Sequence, residues 1–152
     1  MTQLDRLQTR INEHIPLTRA LGVTVADYTG DQITVKAPLA LNHNHQGTGF
    51  GGSVYAVAVV GAWSLLELWL EDRQLKGNVV IQSGAIDYGL PVNSDFFARC
   101  RLPSAEDMER FERSIERRGK GRVVLEVTVF VEEGGTAFPA ATFSGRFVVT
   151  RA

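Results

Sequence analysis

The chain of 152 residues contains one cysteine, Cys100, and carries almost no net charge. A single cysteine cannot form an intrachain disulfide, which excludes the small secreted scaffolds that depend on such bonds. The formal net charge of −1 gives the whole chain no electrostatic preference for nucleic acid. Three histidines and one cysteine form no metal-ligand spacing. We therefore expect neither a metal site nor a nucleic-acid partner.

Long apolar runs are also scarce. Charged residues between Asp5 and Glu13 interrupt the N-terminal segment, which lacks the pattern of a signal peptide. The uncharged stretch 53–66 is ended by Glu67, short of the roughly 18–20 residues that cross a bilayer. This stretch predicts a buried core helix and no membrane span. We expect one domain over residues 1–152 and a cytoplasmic protein.

The first half of the chain changes its hydrophobic period twice. Apolar residues spaced by three and four predict a helix over 2–20 that bends or ends near Pro16. Alternating residues around a Thr-Gly-Asp turn predict a strand hairpin over 22–37. A glycine-rich loop over 38–52 then leads into a helix over 53–73 that is apolar almost all round, as buried helices are.

The second half is mostly β-strand. We predict strands over 78–88 and 95–102, a surface helix over 104–118, and two long strands over 123–132 and 137–150. Because strands follow one another, the fold class is α+β: an antiparallel sheet wrapped around a long central helix. Such a sheet leaves an edge or a face uncovered, and a second copy of the chain is the usual cover.

The loop over 42–53 is the most informative segment for function. It combines Asn and His side chains with Gly47, Gly49, Gly51 and Gly52, and it leads directly into the apolar helix. The first turn of a helix has unpaired backbone N–H groups and a partial positive charge, which stabilise an oxyanion. The same glycines would also suit a plain connector. The GxxxxGK[ST] pattern of phosphate loops is absent.

Asn44, Gly47 and Phe50-Gly51-Gly52 resemble the Asn…Gly…His-Gly-Gly element of acyl-CoA thioesterases of the hotdog superfamily. From about residue 14 to 150 the chain is similar to one branch, the thioesterase domain family of the YiiD C-terminal type, also found fused to acetyltransferase domains. The segments that carry this similarity are 15–17, 21–23, 44–56, 86–88, 91–92 and 95–96.

The resemblance implies a hotdog fold assembled as a homodimer or tetramer, with the active site at a subunit interface. It implies a substrate that is an acyl-CoA or acyl-carrier protein thioester. Coenzyme A or phosphopantetheine is then part of the substrate, and no other cofactor is expected. Asn44 matches the loop residue that positions the thioester or the attacking water. The backbone N–H near Gly52 matches the oxyanion hole.

Two departures from that family concern the mechanism. Phe50 stands where the family has histidine, and Val59 stands where it has an Asp or Glu on the central helix. Because that carboxylate is the base or nucleophile, another group must activate water. We name His45 first, since histidine commonly exchanges protons near neutral pH. His43 is a second candidate, and Asp87, on the same face of its strand as Ser83, could orient a water.

The remaining candidates are substrate-binding residues, and His43 and Ser83 are counted among them. Ser53 and Tyr55 lie near the predicted helix start, together with Gly47, Phe50 and Gly51. Lys120 and Arg122 belong to a basic cluster over 113–122, which is either a solvated surface or a contact for coenzyme A phosphates or an acidic carrier protein.

The leading functional hypothesis is hydrolysis of an acyl thioester at the start of the central helix. The first alternative is a non-catalytic acyl-thioester binding module, or an accessory domain to an acyltransferase, which the absent helix carboxylate favours. A dehydratase or hydratase shares the implied fold but also needs a helix acid, so Val59 counts against it.

Overall fold

The computed structural model describes all residues from 1 to 152 and contains four α-helices and six β-strands. The helices are α1 (Gln3–His14), α2 (Leu17–Leu21), α3 (Gly51–Asp72) and α4 (Ala105–Arg118), and a single 3₁₀ turn spans Leu39–Leu41. The strands are β1 (Thr24–Tyr28), β2 (Gln32–Ala37), β3 (Gly77–Tyr88), β4 (Phe96–Arg101), β5 (Lys120–Glu133) and β6 (Thr136–Arg151). The element order is the predicted one.

All six strands form one antiparallel sheet in the order β1-β2-β4-β5-β6-β3. Helix α3 contacts β2, β3, β4, β5 and β6 on the inner face of this sheet. The predicted α+β architecture, a sheet wrapped around a long central helix, is confirmed. The two edges of the sheet are β1 and β3, because no strand pairs with their outer sides.

Helix α3 is buried along most of its length, which explains its apolar composition. Twelve of its 22 residues are buried, from Val54 to Leu70. By length and composition the helix could cross a membrane, but 67% of its most apolar window is buried inside the domain. The prediction of a core helix is therefore confirmed.

The predicted helix over 2–20 is divided in two at Ile15-Pro16. The Ile15 N–H still donates to the Ile11 carbonyl at 2.9 Å, and α2 restarts after Pro16. The α1 side chain of Arg10 binds Glu67 at 3.1 Å and Glu71 at 2.8 Å, both on α3. The break lets α1 pack beside the C-terminal half of α3.

Helix α4 has the boundaries that its sequence predicts. The Ser104 hydroxyl accepts a hydrogen bond from the Asp107 N–H at 3.1 Å, and Gly119 ends the helix with a φ of 71°. On its apolar side, Phe111 lies 5.3 Å from Trp69, measured between ring centroids. Helix α4 therefore packs beside the C-terminal end of α3.

Two glycines test the packing of the core, Gly61 between α3 and the sheet and Gly145 among the side chains of β6. At Gly61, inside α3, a Cβ would lie 3.5 Å from Val35 Cγ2, which is ordinary contact. We expect Gly61→Ala to raise the free energy of unfolding by about 0.5–1 kcal/mol, since glycine is unfavourable inside helices. At Gly145 on β6, a Cβ would lie 2.5 Å from Phe143 Cζ, so Gly145→Ala should lower stability by about 1–3 kcal/mol. Urea denaturation measures both changes, and a destabilised Gly61→Ala variant would contradict this packing.

Candidate active site

Helix α3 begins with three free backbone donors. Its N-cap is Phe50, which has φ −64° and ψ 131°, and no side chain caps the helix. The N–H groups of Gly51, Gly52 and Ser53 donate to no acceptor in the chain. The structure starts the helix two residues earlier than predicted, so both glycines lie in its first turn. A partial positive charge and three unsatisfied donors therefore meet at this point.

Two backbone hydrogen bonds hold the helix start in place. The Gly49 N–H donates to the Val92 carbonyl and the Phe50 N–H donates to the Asn42 carbonyl, both at 2.7 Å. A Cβ on Gly49 would lie 2.8 Å from Val92 Cβ, so the approach of these two segments requires glycine. Hydrogen bonds to the backbone of Asn42 and Val92 therefore hold the N–H donors of α3 in position.

Asn42 anchors the base of the loop, a role that the sequence did not reveal. It is 2% exposed, and its side-chain amide donates to the carbonyls of Leu21 and Pro38, each at 2.8 Å. The sequence places Asn42 and Asn44 two residues apart in similar surroundings. Only the fold shows that Asn42 is the buried anchor and that Asn44, nearer the loop tip, is half-exposed.

The Asn44 side chain organises the loop tip. Its Oδ1 accepts hydrogen bonds from the N–H groups of Gln46 at 2.8 Å and Thr48 at 3.1 Å. Its Nδ2 donates to the Thr48 hydroxyl at 2.8 Å, and Gly47 makes the turn with a φ of 82°. Asn44 therefore shapes the segment that precedes the helix, and these bonds occupy both of its polar atoms.

The two loop histidines lie at the surface. The His43 Nδ1 is 2.9 Å from the Asn44 carbonyl oxygen. His45 is exposed and makes no side-chain hydrogen bond within the chain. Of the two, His45 has the imidazole that is free to bind a water or a substrate group.

Aromatic side chains surround the first turn of α3. The Phe50 side chain, 56% exposed, lies over Gly52, where a Cβ would be 2.6 Å from its ring. The Tyr88 hydroxyl donates to the Gly51 carbonyl at 2.7 Å. Burial raises the pKa of the Tyr88 phenol, and the nearby Tyr55 raises it further. Tyr88 was not predicted as a site residue, although it follows Asp87 directly and so lies on the opposite face of β3.

Tyr55 connects the helix start to β3. Its ring packs edge-on against Phe143, with centroids 5.3 Å apart. Its hydroxyl occupies the space where a Cβ of Gly84 would lie. Ser53, half-buried in the same turn, makes no capping hydrogen bond. The predicted cluster of Ser53, Tyr55 and the glycines is therefore brought together.

Asp87 and Ser83 are not brought to the helix start. They pair with Thr142 and Arg146 of β6, which are exposed on the outer face of the sheet. Directly paired residues of antiparallel strands lie on the same face. The residues of β3 that face α3 are instead Gly84, Ile86 and Tyr88, which pair with buried residues of β6. Ser83 and Asp87 do share a face, as alternation predicted, but it is the face away from α3.

A half-buried apolar stripe runs along α3 from its first turn. It consists of Tyr55, Ala56, Val59 and Trp63, and the Trp63 Nε1 donates to the Val79 carbonyl of β3 at 3.2 Å. Val59 thus lies on this stripe, where the resemblance implied a carboxylate. The next acid along the helix, Glu67, is bound by Arg10 as described above, and burial raises the pKa of its carboxyl. The stripe offers an apolar wall without a free carboxylate.

Cys100 is no candidate nucleophile. It is fully buried in the core, and burial raises the pKa of its thiol to about 12.

Lys120 and Arg122 lie far from the helix start within one chain. They stand at the end of the sheet where β3 begins, whereas Tyr88, which contacts Gly51, is the last residue of β3. Through β6, Lys120 is level with Asn78 and Arg122 with Val80, which lie roughly 33 and 26 Å from Tyr88 along the strand, at ~3.3 Å per residue.

Comparison with known proteins agrees with this architecture. A family model described as "Putative thioesterase (yiiD_Cterm)" matches residues 4–151. The solved structure of a protein with unknown function from Chlorobaculum tepidum TLS is 29% identical, with a TM-score of 0.90, covering 97% of this chain and 94% of that one. That of the "putative thioesterase" from Shewanella oneidensis is also 29% identical, with a TM-score of 0.83 and coverage of 98% and 97%.

A more distant structure shares the fold alone. A thioesterase from Haemophilus influenzae is 18% identical, with a TM-score of 0.75, and covers 99% of this chain and 92% of that one. The hotdog fold therefore extends over nearly the whole chain.

The hydrogen bonds of Asn44 lead to a test of the loop. Asn44→Ala removes three of them and should lower the free energy of unfolding by about 1–3 kcal/mol. Asn44→Asp keeps both acceptor interactions, and the Thr48 hydroxyl can turn to donate, so its loss should be less than half as large. His45→Ala, which breaks no hydrogen bond, serves as the control and should change stability by less than ~0.5 kcal/mol. Urea denaturation measures the free energy of unfolding of the three variants. An Asn44→Ala variant as stable as wild type would contradict the role of this amide.

Proposed function

Because the chain belongs to the thioesterase family of the YiiD C-terminal type, matched over residues 4–151, we propose that it hydrolyses an acyl thioester carried by coenzyme A or an acyl-carrier protein. The observation that carries this proposal is the uncapped start of α3, with free N–H groups on Gly51, Gly52 and Ser53. Attack on a thioester carbonyl develops negative charge on its oxygen. Preorganised backbone donors stabilise that charge more than they stabilise the ground state.

The apolar stripe of α3 supports a substrate with a medium or long acyl chain. In the proposed complex the thioester carbonyl lies at Gly52 and the acyl chain follows Ala56, Val59 and Trp63. The ring of Phe50 shields the carbonyl from bulk water, which strengthens the hydrogen bonds from the helix. Burial of each CH₂ group would contribute about 0.8 kcal/mol to binding.

Water activation is assigned to His45. Its imidazole is exposed and free of hydrogen bonds within the chain, and Asn44 shapes the loop that carries it. A positioned general base contributes typically 10²–10⁴-fold to a rate. In this mechanism His45 takes a proton from water as the oxygen of that water attacks the carbonyl carbon, the oxyanion collapses with cleavage of the C–S bond, and the imidazolium gives its proton to the leaving thiolate.

A non-catalytic thioester-binding protein is the second candidate. Val59 in place of a helix carboxylate, together with Asp87 on the outer face of β3, favours it. Both candidates use the start of α3 to bind the carbonyl, so they differ only in whether thiol is released.

The free edge of β3 supports assembly as a homodimer, which a further pairing could extend to a tetramer. The edge strand is 12 residues long, and most of its side chains are exposed, including Val80 at 56% and Ile81 at 38%. A long exposed edge pairs readily with another strand. Antiparallel pairing of β3 with the β3 of a second copy would cover this edge and close the open side of the apolar stripe.

The central prediction concerns the backbone donor of Gly52. Purified protein should release free thiol from acyl-CoA or acyl-carrier thioesters in a series of chain lengths. Gly52→Pro removes the N–H in a first turn that tolerates proline, whereas Gly52→Ala adds a comparable Cβ and keeps the N–H. Gly52→Pro should lower kcat about 10²–10³-fold relative to Gly52→Ala. Circular dichroism checks that both variants fold.

Three results of this experiment are informative. Equal rates for the two Gly52 variants would contradict the oxyanion role. Wild-type protein that binds the thioesters in calorimetry without releasing thiol would support the binding module. His45→Ala with an unchanged kcat would exclude His45 as the base.

The proposed dimer predicts the effect of a charge on the β3 edge. Val80→Glu places a carboxylate at a 56% exposed position of the edge strand, where pairing with a second β3 would bury it, so sedimentation should show the molecular mass of a monomer. Val124→Glu, 49% exposed on β5 where α4 lies along the unpaired side of the strand, is the matched control and should remain a dimer. A wild-type protein that sediments as a monomer would rule out the dimer.

A further inference from the structure

A groove between α4 and the start of β5 collects positive charge, most of which is paired with no acidic group. It has a volume of about 780 Å³. Five of the cationic side chains that line it make no salt bridge and no side-chain hydrogen bond within the chain: Arg113, Arg117, Arg118, Lys120 and Arg122. A sixth, Arg110, is bound to Glu106 and Asp107. Since the whole chain has a formal charge of −1, this concentration of positive charge is local.

The groove exists because β4 is much shorter than β5. Strand β4 pairs with β5 only from Val127 to Val131, so the residues 120–126 of β5 pair with β6 alone. Helix α4 lies along this open edge, and its Ser114 hydroxyl donates to the Lys120 carbonyl at 2.6 Å. The groove is therefore held by packed elements and is not a gap between mobile loops.

Close packing fixes the distance between α4 and β5. A Cβ on Gly121 would lie 2.9 Å from atoms of Phe111 and Ile115, so the helix approaches the strand as closely as glycine permits. At the surface Val124 remains 49% exposed beside the cations. The groove thus combines arginine forks, which bind phosphates bidentately, with an apolar surface suited to a base.

We propose that this groove binds the 3′-phospho-ADP end of coenzyme A. The inference rests on the proposed function, since it identifies the carrier of the thioester. A concave site of 780 Å³ is in the range for small molecules, whereas the helices of a carrier protein need a broad, open surface. The nucleotide end carries a diphosphate and a 3′-phosphate, and five free cations offer matching charge.

In this proposal, a thioester bound at the start of α3 in one subunit has its nucleotide end in the groove of the partner subunit. Within one chain Lys120 and Arg122 are level, through β6, with Asn78 and Val80, whereas the start of α3 lies at Tyr88, so roughly 33 and 26 Å separate these cations from the helix start along the strand, at ~3.3 Å per residue. The phosphopantetheine arm is about as long as four extended residues, or ~15 Å. One chain therefore cannot hold both ends of the same substrate.

Antiparallel pairing of two β3 strands resolves this mismatch. It places the beginning of one β3 beside the end of the other, so the groove of one subunit lies at the same end of the joined sheet as α3 of its partner. Strand β5 is then three strand spacings from the other β3, about 14 Å at ~4.8 Å each. This sideways separation is comparable with the length of the arm, which passes the end of the joined sheet because Arg122 and Val124 lie on the outer face with Ser83.

Calorimetry with 3′-phosphoadenosine 5′-diphosphate tests the groove without any need for thioester turnover. We expect saturable binding that Arg117→Gln combined with Arg122→Gln weakens at least tenfold. Arg19→Gln combined with Lys36→Gln removes the same charge from exposed positions elsewhere and should change the dissociation constant less than twofold. ADP, which lacks the 3′-phosphate, should bind at least fivefold more weakly.

Three outcomes would overturn the nucleotide site: no nucleotide binding, equal weakening by both double variants, or binding of an apo acyl-carrier protein without binding of the nucleotide. Because the probe has no thioester, failure of the hydrolysis proposal leaves these results interpretable.

A mixed dimer tests the contribution of the partner. One subunit carries Gly52→Pro and the other carries Arg117→Gln with Arg122→Gln, with different affinity tags. If each site combines α3 of one subunit with the groove of the other, one of the two sites is intact, and the mixed dimer should recover about half the wild-type rate. A rate no higher than that of the two parent homodimers would show that the groove does not act on the partner's site.

Discussion

The packing of α3 into the curled sheet determines where every candidate functional group lies. The helix is apolar on nearly all sides, and sheet strands cover most of its surface. Its first turn emerges at the end of β3, where Gly49 and Phe50 are tied to Val92 and Asn42 through backbone hydrogen bonds. Free donors at a helix end are common, but here they are held rigidly beside an apolar surface, as oxyanion stabilisation requires.

Hydrophobic periodicity predicted the order and type of the principal elements, because each long element buries one regular set of residues. The glycine, Asn and His content of the loop at residues 42–53, and its position before the apolar helix, predicted it as the functional segment. Periodicity did not show which face of β3 points inward, since the strand is exposed on both sides and carries no burial pattern. Asp87 was therefore predicted to line the pocket, while Tyr88, which binds Gly51, was not singled out.

The roles of individual polar residues depended on tertiary contacts in the same way. Asn42 and Asn44 are similar in sequence context, but only Asn42 reaches the carbonyls of Leu21 and Pro38. The basic residues after position 112 were visible in the sequence as a cluster. That they line a groove follows from the unequal lengths of β4 and β5, which no local pattern encodes.

In the proposed complex the thioester carbonyl binds to the free N–H groups at the start of α3. The most direct measurement is a crystal structure of the dimer with a coenzyme A analogue in which a ketone replaces the thioester. The ketone oxygen should lie about 2.7–3.2 Å from the backbone nitrogen of Gly52, with the acyl chain along Val59 and the nucleotide at the partner's α4. A ketone oxygen that contacts none of the Gly51, Gly52 and Ser53 nitrogens would rule out this binding mode.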